Sequence, residues 1–516
     1  YSMTPEETWP ECARRVAKAV AADASQDAAF EQMIRDRIFM PGGRYLYSAG
    51  RPIFQNSNCM GFSVGDSREE WARVLRDSVM CLSMGAGIGV NYSELRPKGS
   101  PVGRMGGKSS GPLALMAMVN EVGRHVMAGG VRRSAVWAGL SWRHPDVDDF
   151  IRIKDWDEPT KRHKAESFEA PAPLDMTNIS VIVDDEYLGG LAEKRQDTLG
   201  LHRTIVEHMA RTGEPAFRNQ ARIDEDDRGA VTGNACQEST LHDRDTCNLG
   251  SIVLPRIKDL GHLEAVTRLA IQFLYQGSLR SDYPTSEIAA VAGRNRRIGL
   301  GIMGLHEWML QHGGRYEWTE ELGRWLHVWR GAAQDEARRY ARKCGGPVPI
   351  TTRAIAPTGT ISIVAETTSG LEPIFCQAYK RRYQVGDKHY YQYVVDPTAA
   401  RFLTNGGGAL VEDAHGLARG GFERRLEVQA KVQEYVDQAI SSTINLPAVG
   451  EPGNDDPVTM AAIVARYLPR LKGLTVYPDG SRSGQPIVPA DPALALAEKG
   501  VVFEEEGECK TGVCGL

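Results

Sequence analysis

Several features that define common protein classes are missing from this 516-residue sequence. No stretch approaches the roughly eighteen consecutive apolar residues of a membrane span, and no basic-then-apolar signal pattern is present, so we expect a cytoplasmic protein without a membrane segment. There is no C-x-x-C pair and the histidines do not follow metal-binding spacings, which predicts no bound metal. The formal net charge of −5 argues against a basic protein that binds nucleic acid directly.

The cysteines also exclude a common class. Nine of them are spread thinly along the chain, unlike the dense, even-numbered frameworks of small secreted domains. In a cytoplasmic protein such residues are either small buried hydrophobes or catalytic groups. The composition, 42% hydrophobic and 25% charged, is typical of a globular protein with a large core. The length allows two to four domains or one large α/β barrel.

The most informative stretch is 233–250, G-N-A-C-Q-E-S-T-L-H-D-R-D-T-C-N-L-G. Asn234, Cys236 and Glu238 occupy alternate positions, and in an extended segment alternation turns all three side chains to one face. An amide, a thiol and a carboxylate together suit a reaction that needs a hydrogen-bond donor, a sulfur and a base. A second thiol, Cys247, follows eleven residues after the first. Taken alone, a cysteine in such a segment is more often a small buried hydrophobe.

Apolar periodicity along the rest of the chain predicts an α/β protein. It favours a helical region over 5–38, then a loop that starts at Pro41–Arg44. β-branched or apolar runs such as 178–183 and 298–303 predict buried strands. Strand–helix alternation predicts a closed or doubly wound α/β core. Further helices are predicted after Ser67, with an apolar stripe at Trp71, Val74, Leu75 and Val79, and at 113–126, 202–210, 263–274, 321–343 and 426–440.

Three loops contain residues that bind anions in other proteins. The loops 96–111 and 128–133 mix glycine with arginine or lysine, a pattern that suits phosphate but is shared by many flexible loops. The hydroxyl-rich turn 356–362 would form an anion site if it opens a helix. After these, the last thirty or so residues become Pro-rich and then acidic, which is typical of a mobile tail.

Eight short motifs occur along the chain: N-A-C-Q-E, C-N-L-G-S-I, G-G-V-R-R, R-R-I-G-L-G-I-M-G-L, A-P-T-G-T-I-S, S-G-L-E-P, S-T-I-N-L-P and Y-P-D-G-S-R. Together these segments, from Pro41 to Cys514, resemble the catalytic subunit of ribonucleotide reductase, with the motifs in the family's order. The resemblance implies an α/β fold: a ten-stranded α/β barrel with a central finger loop, an N-terminal helical segment and a flexible C-terminal tail. We therefore expect a helical segment at 1–55, a catalytic barrel at 56–485 and a flexible redox tail at 486–516.

The resemblance also implies roles for individual residues. Cys236, at the tip of the finger loop, would carry a thiyl radical that abstracts the 3′ hydrogen of the ribose. Glu238 would act as general base, and Asn234 would hold the sugar hydroxyls. Cys59 and Cys247 would supply a proton and two electrons by closing a transient disulfide. That requires Cα atoms within roughly 7 Å, which only adjacent strands could arrange.

Two further sites are implied in the same way. In the tail, Cys509 and Cys514 would pass electrons from a thioredoxin-type reductant to the buried disulfide. The phosphates of the ribonucleotide substrate would be held by the turn that contains Pro357, Thr358, Gly359, Thr360, Ile361 and Ser362.

Two features favour the adenosylcobalamin-dependent class II and predict adenosylcobalamin as the cofactor. The spacing from Cys236 to Cys247 looks like class II, since class I chains typically carry a longer insertion there. Class I chains also relay a radical through an adjacent tyrosine pair, where this chain has only Tyr477. The alternatives are a class I-like subunit that needs a ferritin-type partner and a non-catalytic nucleotide-sensing barrel.

The resemblance implies a homodimer with a deoxynucleotide effector at its interface. The interval between the first redox cysteine and the finger loop is compact, and monomeric class II members carry an insertion there. Ser67 and Glu70 fit a capping box that opens a helix. On local grounds a simple helix cap explains Asp66 about as well as effector binding does. The expected effector residues are Asp66, Ser67, Arg96, Arg104 and Arg132, the last of which would carry the signal to the substrate base.

Overall fold

The computed structural model describes residues 3–4, 6–103, 106–127, 134–167, 170–385, 388–403, 411–481, 487–498 and 500–504. Four predicted site residues, Arg104, Arg132, Cys509 and Cys514, lie outside the described residues. Within the part of the chain that is described, no helix has the length and apolar character needed to cross a membrane.

Ten strands form one mixed sheet in the described chain, the number that the resemblance implies. The described residues contain fourteen strands in two sheets: β1 (Phe39–Pro41), β2 (Cys59–Ser63), β3 (Gly87–Asn91), β4 (Val136–Ser141), β5 (Thr177–Val183), β6 (Ala216–Asn219), β7 (Asp245–Val253), β8 (Ile298–Met303), β9 (Ala378–Val385), β10 (Lys388–Val395), β11 (Thr443–Leu446), β12 (Gly473–Pro478), β13 (Ile487–Pro489) and β14 (Val502–Glu504). The large sheet has the order β1-β7-β2-β3-β4-β5-β6-β12-β11, and β8 pairs with β7.

The sheet consists of parallel groups that meet in antiparallel pairs. Strands β2 to β6 are parallel to one another. β7 pairs antiparallel with β2, and β12 pairs antiparallel with β6. β7 and β8 are parallel, as are β11 and β12. Parallel strands are covered on both faces and therefore read as continuous apolar runs, which is why the predicted strands 178–183 and 298–303 match β5 and β8 closely.

Helices alternate with the strands and pack against them. Their apolar faces form two large clusters: one joins α1, α2, α11 and α14 to β7 and β8, and the other joins α4, α5, α9 and α19 to β2 through β6. The helices are α1 (Trp9–Val20), α2 (Ala24–Arg35), α3 (Gly43–Ser48), α4 (Arg68–Ser83), α5 (Pro112–His125), α6 (Val147–Arg152), α7 (Glu158–Glu166), α8 (Asp185–Ala192), α9 (Gln196–Thr212), α10 (Gln220–Asp226), α11 (Leu260–Arg280), α12 (Ser286–Asn295), α13 (Leu305–Gln311), α14 (Glu320–Cys344), α15 (Gly359–Ala365), α16 (Pro397–Leu403), α17 (Ala414–Ala418), α18 (Phe422–Gln433), α19 (Pro457–Tyr467) and α20 (Pro492–Ala497).

The structure differs from the predicted helices in four places. The region 5–38 contains two helices, because the Asp23 side chain accepts a hydrogen bond from the Gln26 N–H at 2.9 Å and caps a second start. Pro41–Arg44 does not start a loop but ends β1 and begins α3. α18 ends at Gln433 instead of continuing to residue 440. Val79, predicted to lie on the apolar stripe of α4, is exposed.

A second, four-stranded sheet has the order β13-β9-β10-β14. β13 and β14 come from the region predicted to be a flexible tail from residue 486 onward, so part of that region forms regular structure. β13 pairs with β9, and β14 pairs with β10. The Phe503 ring stacks on Tyr391 at a centroid distance of 4.9 Å, which gives this short edge strand an apolar anchor.

Candidate active site

We define the finger loop as residues 232–241. Two backbone hydrogen bonds of 3.0 Å between Thr232 and Leu241 close its base. The loop lies against β2 and β3, where Gly61 and Gly89 are register partners. A Cβ at Gly61 would lie 2.5 Å from the Thr232 side chain, and one at Gly89 would lie 2.1 Å from a carbonyl oxygen of the loop. Glycine at both positions therefore avoids a steric clash with the loop.

The tip of the finger loop is a tight turn, so the expectation of an extended segment is wrong. The Gln237 N–H donates to the Asn234 carbonyl oxygen at 3.0 Å, and Gln237 has a φ of +65°. A bond across three residues and a left-handed residue together reverse the chain. Asn234, Cys236 and Glu238 nevertheless border one cavity. The turn therefore brings the three side chains to one cavity, as the alternating spacing predicted, although the segment is not extended.

Hydrogen bonds connect the amide, the carboxylate and the first redox cysteine. Asn234 Nδ2 donates to the Cys59 sulfur at 2.8 Å, and the Cys59 thiol lies 3.7 Å from Glu238 Oε1. Asn234 Oδ1 accepts from the Ser239 N–H at 3.0 Å. The other carboxylate oxygen, Glu238 Oε2, is buried and has no hydrogen-bond partner among the described residues. A buried acceptor without a partner beside a cavity is suited to take a proton from a bound molecule.

Burial raises the pKa values of Glu238, Cys59 and Cys247. It raises the pKa of the Glu238 carboxyl, although hydrogen bonds from Asn234 and Cys59 oppose the effect. It raises the pKa of the Cys59 thiol well above its usual value, with a further contribution from the nearby Glu238 charge. It raises the pKa of Cys247 to about 12, against a hydrogen bond from Gln438. At neutral pH both cysteines therefore hold their protons.

The two predicted redox cysteines are neighbours across strands. Cys59 on β2 and Cys247 on β7 are register partners in an antiparallel pair. Directly opposed Cα atoms in such a pair are about 4.5–5.5 Å apart, which falls within the range that disulfides span. Both cysteines are free thiols and buried. Gln438 Nε2 contacts the Cys247 sulfur at 3.5 Å, and a Cβ at Gly299 would lie 3.1 Å from it.

The cavity beside these residues has a volume of about 370 Å³. Cys236 is exposed, whereas Asn234 and Glu238 are buried. Part of the lining consists of residues with little or no side chain. These small residues are Gly85, Ala86, Gly87 and Ala135.

The predicted phosphate-binding turn forms another part of the lining. The segment 357–361 borders the cavity, and α15 begins directly after Thr358, so the turn meets the condition that it open a helix. Ser362 is not among the lining residues: it is buried, and its hydroxyl contacts the Ser369 hydroxyl at 2.9 Å. The Thr358 hydroxyl accepts from the Gly370 N–H at 2.8 Å, which joins the turn to the S-G-L-E-P segment.

Sequence reasoning missed an arginine of the cavity. Among the described lining residues, Arg44 supplies the positive charge and Glu238 the negative charge. Arg44 Nη2 donates to the Met84 carbonyl oxygen at 2.9 Å. Gly85 leaves space for the guanidinium, since a Cβ there would lie 2.2 Å from Arg44 Nη1. The available signal was an arginine directly after two glycines, which we interpreted only as a loop.

Two buried arginines that sequence reasoning also missed support the finger loop. Arg218 donates from Nη2 to the Thr232 carbonyl oxygen at 2.6 Å and lies 5.6 Å from the centre of the Trp137 ring. Arg297, in the R-R-I-G-L-G motif, contacts Asp227 at 2.6 Å and Asp245 at 2.8 Å. Paired buried charges of this kind hold both ends of the loop in place.

The predicted effector residues are only partly brought together. Asp66 does not cap α4; it pairs with the Arg96 guanidinium at 2.7 Å, so the cap interpretation of Asp66 is wrong. Ser67 is the N-cap and accepts from the Glu70 N–H at 3.1 Å. The Asp66–Arg96 pair joins the start of α4 to the 96–111 loop. Arg104 and Arg132 lie outside the described residues.

Comparison with known proteins identifies relatives along nearly the whole chain. The family model described as "Ribonucleotide reductase, barrel domain" matches residues 57–199, 190–324 and 345–407, which together cover more than half of the chain. A vitamin B12-dependent ribonucleoside-diphosphate reductase of Mycobacterium tuberculosis (strain CDC 1551 / Oshkosh) is 30% identical over 589 residues, covering 99% of this chain and 81% of the relative.

A second relative with the same name is less similar in sequence. The vitamin B12-dependent ribonucleoside-diphosphate reductase of Thermoplasma acidophilum is 26% identical over 541 residues, covering 92% of this chain and 68% of the relative. At 99% coverage, the similarity to the Mycobacterium tuberculosis protein extends over the segments that contain the finger loop, Cys59, Cys247 and the turn before α15.

Proposed function

The chain belongs to the ribonucleotide reductase family, and from this premise we propose that it reduces ribonucleotides to 2′-deoxyribonucleotides with adenosylcobalamin as its radical source. The names of its relatives support this cofactor and favour ribonucleoside diphosphates as substrates. The observation that carries the proposal is the pairing of Cys59 with Cys247 in register, beside a cavity that Asn234, Cys236 and Glu238 also border.

The surroundings of Cys236 fit this cofactor. Its thiol is exposed and borders the cavity, while the neighbouring site residues are buried, so a bound group can reach the sulfur from the cavity side. When bound, adenosylcobalamin supplies an organic radical that can take the hydrogen of a nearby thiol.

The remaining chemistry belongs to residues of this chain. A thiyl radical on Cys236 takes the hydrogen atom from C3′, and Glu238 accepts the proton of the 3′-hydroxyl through its free Oε2. The 2′-hydroxyl then leaves as water with a proton from the cysteine pair. Cys59 and Cys247 give up two electrons and form a disulfide, and Cys236 returns a hydrogen to C3′. In balance, a ribonucleotide and two thiols become a deoxyribonucleotide, a disulfide and water.

The protonation states in the site support these roles. A raised pKa makes the Glu238 carboxylate a better base than an exposed glutamate. Raised pKa values keep Cys59 and Cys247 as thiols, which is the form that can deliver a proton together with electrons. The Asn234 amide, which accepts a hydrogen bond from the Ser239 N–H, would hold a sugar hydroxyl in the same cavity.

Substrate phosphates would lie at the turn 357–362, with the Arg44 guanidinium as their counter-charge. A nucleotide brings two or more negative charges, and Arg44 is the cation among the described residues that line the cavity.

Turnover leaves a buried disulfide that a large reductant cannot reach. We therefore assign the re-reduction to Cys509 and Cys514, supplied by a thioredoxin-type dithiol.

Regulation would follow from self-association. Val79 and Met80 on α4 and Met118 on α5 are exposed apolar side chains on two helices that pack together. Both helices begin directly after the segments predicted to hold a deoxynucleotide effector. A second copy of the chain would bury these side chains and place Asp66 and Arg96 near a shared boundary.

One experiment tests the proposed function directly. Purified protein with adenosylcobalamin, a ribonucleoside diphosphate and a small dithiol should form deoxyribonucleotide without any second protein. Cys236→Ser should retain its fold and lose the activity, because an O–H bond is too strong for serine to form the hydrogen-abstracting radical. A requirement for an iron- or manganese-loaded partner would refute the cofactor proposal. Turnover by Cys236→Ser above a few per cent of wild type would refute the role of this thiol.

A further inference from the structure

A left-handed residue stands between the two catalytic positions of the finger loop. Gln237 has a φ of +65°, a conformation that costs a residue with a side chain roughly 1–2 kcal/mol. Glycine would adopt it without this cost. Such a conformation persists only where surrounding contacts determine it, and it is often found at functional sites.

The contacts that determine it come from β12. The Gln237 side chain is buried, although the adjacent Cys236 is exposed. Its amide meets the Thr475 hydroxyl at 3.5 Å. Two residues earlier on the same face of β12, Gly473 leaves space for the amide, since a Cβ there would lie 3.2 Å from Gln237 Oε1.

The neighbouring backbone is held on both sides of Gln237. The Asn178 side chain on β5 donates to the Ala235 carbonyl oxygen at 2.9 Å. The Ala439 N–H donates to the Glu238 carbonyl oxygen at 3.0 Å. Between these two points, the side chain of Gln237 provides the contact that ties the turn itself to β12.

We propose that Gln237 is a positioning residue that sets the direction of the Cys236 thiol by anchoring the finger-loop turn to Thr475 and Gly473. The left-handed conformation reverses the chain between Cys236 and Glu238, so both side chains face the cavity although the segment is not extended. The inference rests on the proposed function for its catalytic consequence, but the anchoring itself is a property of the protein without cofactor.

The competing explanation is that the fold of the loop imposes the turn and the glutamine side chain is incidental. Gln237→Gly separates the two, because glycine relieves the backbone cost and removes the anchor. An incidental side chain predicts a variant at least as active and stable as wild type. Anchoring predicts that kcat falls roughly tenfold while KM for the nucleotide changes less than about twofold, since a displacement of the order of 1 Å is enough for such a loss.

Thr475 offers a matched pair of variants from the other side of the contact. Thr475→Val removes the hydroxyl at nearly constant shape and should lower kcat in the same direction, whereas Thr475→Ser retains the hydroxyl and should stay within about twofold of wild type. Combining Thr475→Val with Gln237→Met should cost no more than the worse single change, because both remove one contact. Should Gln237→Gly not fold, judged by circular dichroism, the Thr475 pair decides.

A measurement without cofactor separates anchoring from catalysis. Hydrogen exchange should be measured at the backbone N–H of residue 237, which donates to the Asn234 carbonyl oxygen. It should be faster in Gln237→Gly and Thr475→Val but not in Thr475→Ser. If wild type forms no deoxyribonucleotide while exchange changes in this way, the proposed function fails and the anchor stands. If wild type is active and Gln237→Gly matches it in kcat and exchange, the anchor is refuted.

Discussion

Gly89→Ala should displace the finger loop without replacing any of the proposed catalytic residues. The added Cβ would lie 2.1 Å from the Gly233 carbonyl oxygen and 2.8 Å from its carbon. Ordinary van der Waals contact begins at 3.4 Å, so the loop must move by about 1 Å. A shift of that size at a reacting group costs on the order of 100-fold in rate. Overpacking should also lower the free energy of unfolding by about 1–3 kcal/mol.

The assay compares deoxyribonucleotide formation with urea unfolding of the same preparations. Gly293→Ala on α12 is the matched control, because a Cβ there meets nothing within 4 Å. It should leave kcat near wild type and raise the free energy of unfolding by up to about 1 kcal/mol, since alanine is favoured over glycine in a helix. Gly89 lacks the left-handed φ found at several other glycines, so any loss reflects the steric overlap and not backbone strain. If Gly89→Ala retains more than about half of the wild-type kcat, the glycine pair under the loop does not position the thiol.

The proposed tail, carboxylate and dimer give three more expected outcomes. Replacing Cys509 and Cys514 by serine should leave a single turnover intact and abolish repeated turnover with thioredoxin, with partial rescue by a small dithiol; equal steady-state rates would exclude the relay. Burial raises the pKa of Glu238, so its ionisation costs stability as pH rises above about 4.5, and the stability of Glu238→Gln relative to wild type should therefore be greater at pH 7 than at pH 4 in urea unfolding. An unchanged difference between the two pH values would contradict this. The double variant Val79→Asp/Met80→Asp should have the light-scattering mass of one chain with effector present. A monomeric wild type would contradict the proposed dimer.

Much of the fold was predictable because its strands are covered on both faces. The β-branched run 178–183 and the apolar run 298–303 could be identified as buried strands from composition alone. The helix predictions were correct where one face is continuously apolar, as in α11 and α14, and wrong where a local polar cap interrupts the pattern, as at Asp23. The paired segment 487–504 was missed because the β9–β10 hairpin that stabilises it is distant in sequence.

The sequence by itself determined which chemical groups this protein has and in which order they occur. Residue identity and spacing give the thiol, amide and carboxylate of the finger loop, the second thiol at Cys247 and the motifs of the family. Only the tertiary structure decided that Cys59 faces Cys247 across two strands, that Asp66 pairs with Arg96 instead of capping α4, and that Gln237 turns the loop tip. Periodicity reports how a segment meets solvent and core, whereas these contacts depend on how distant segments share space inside the sheet.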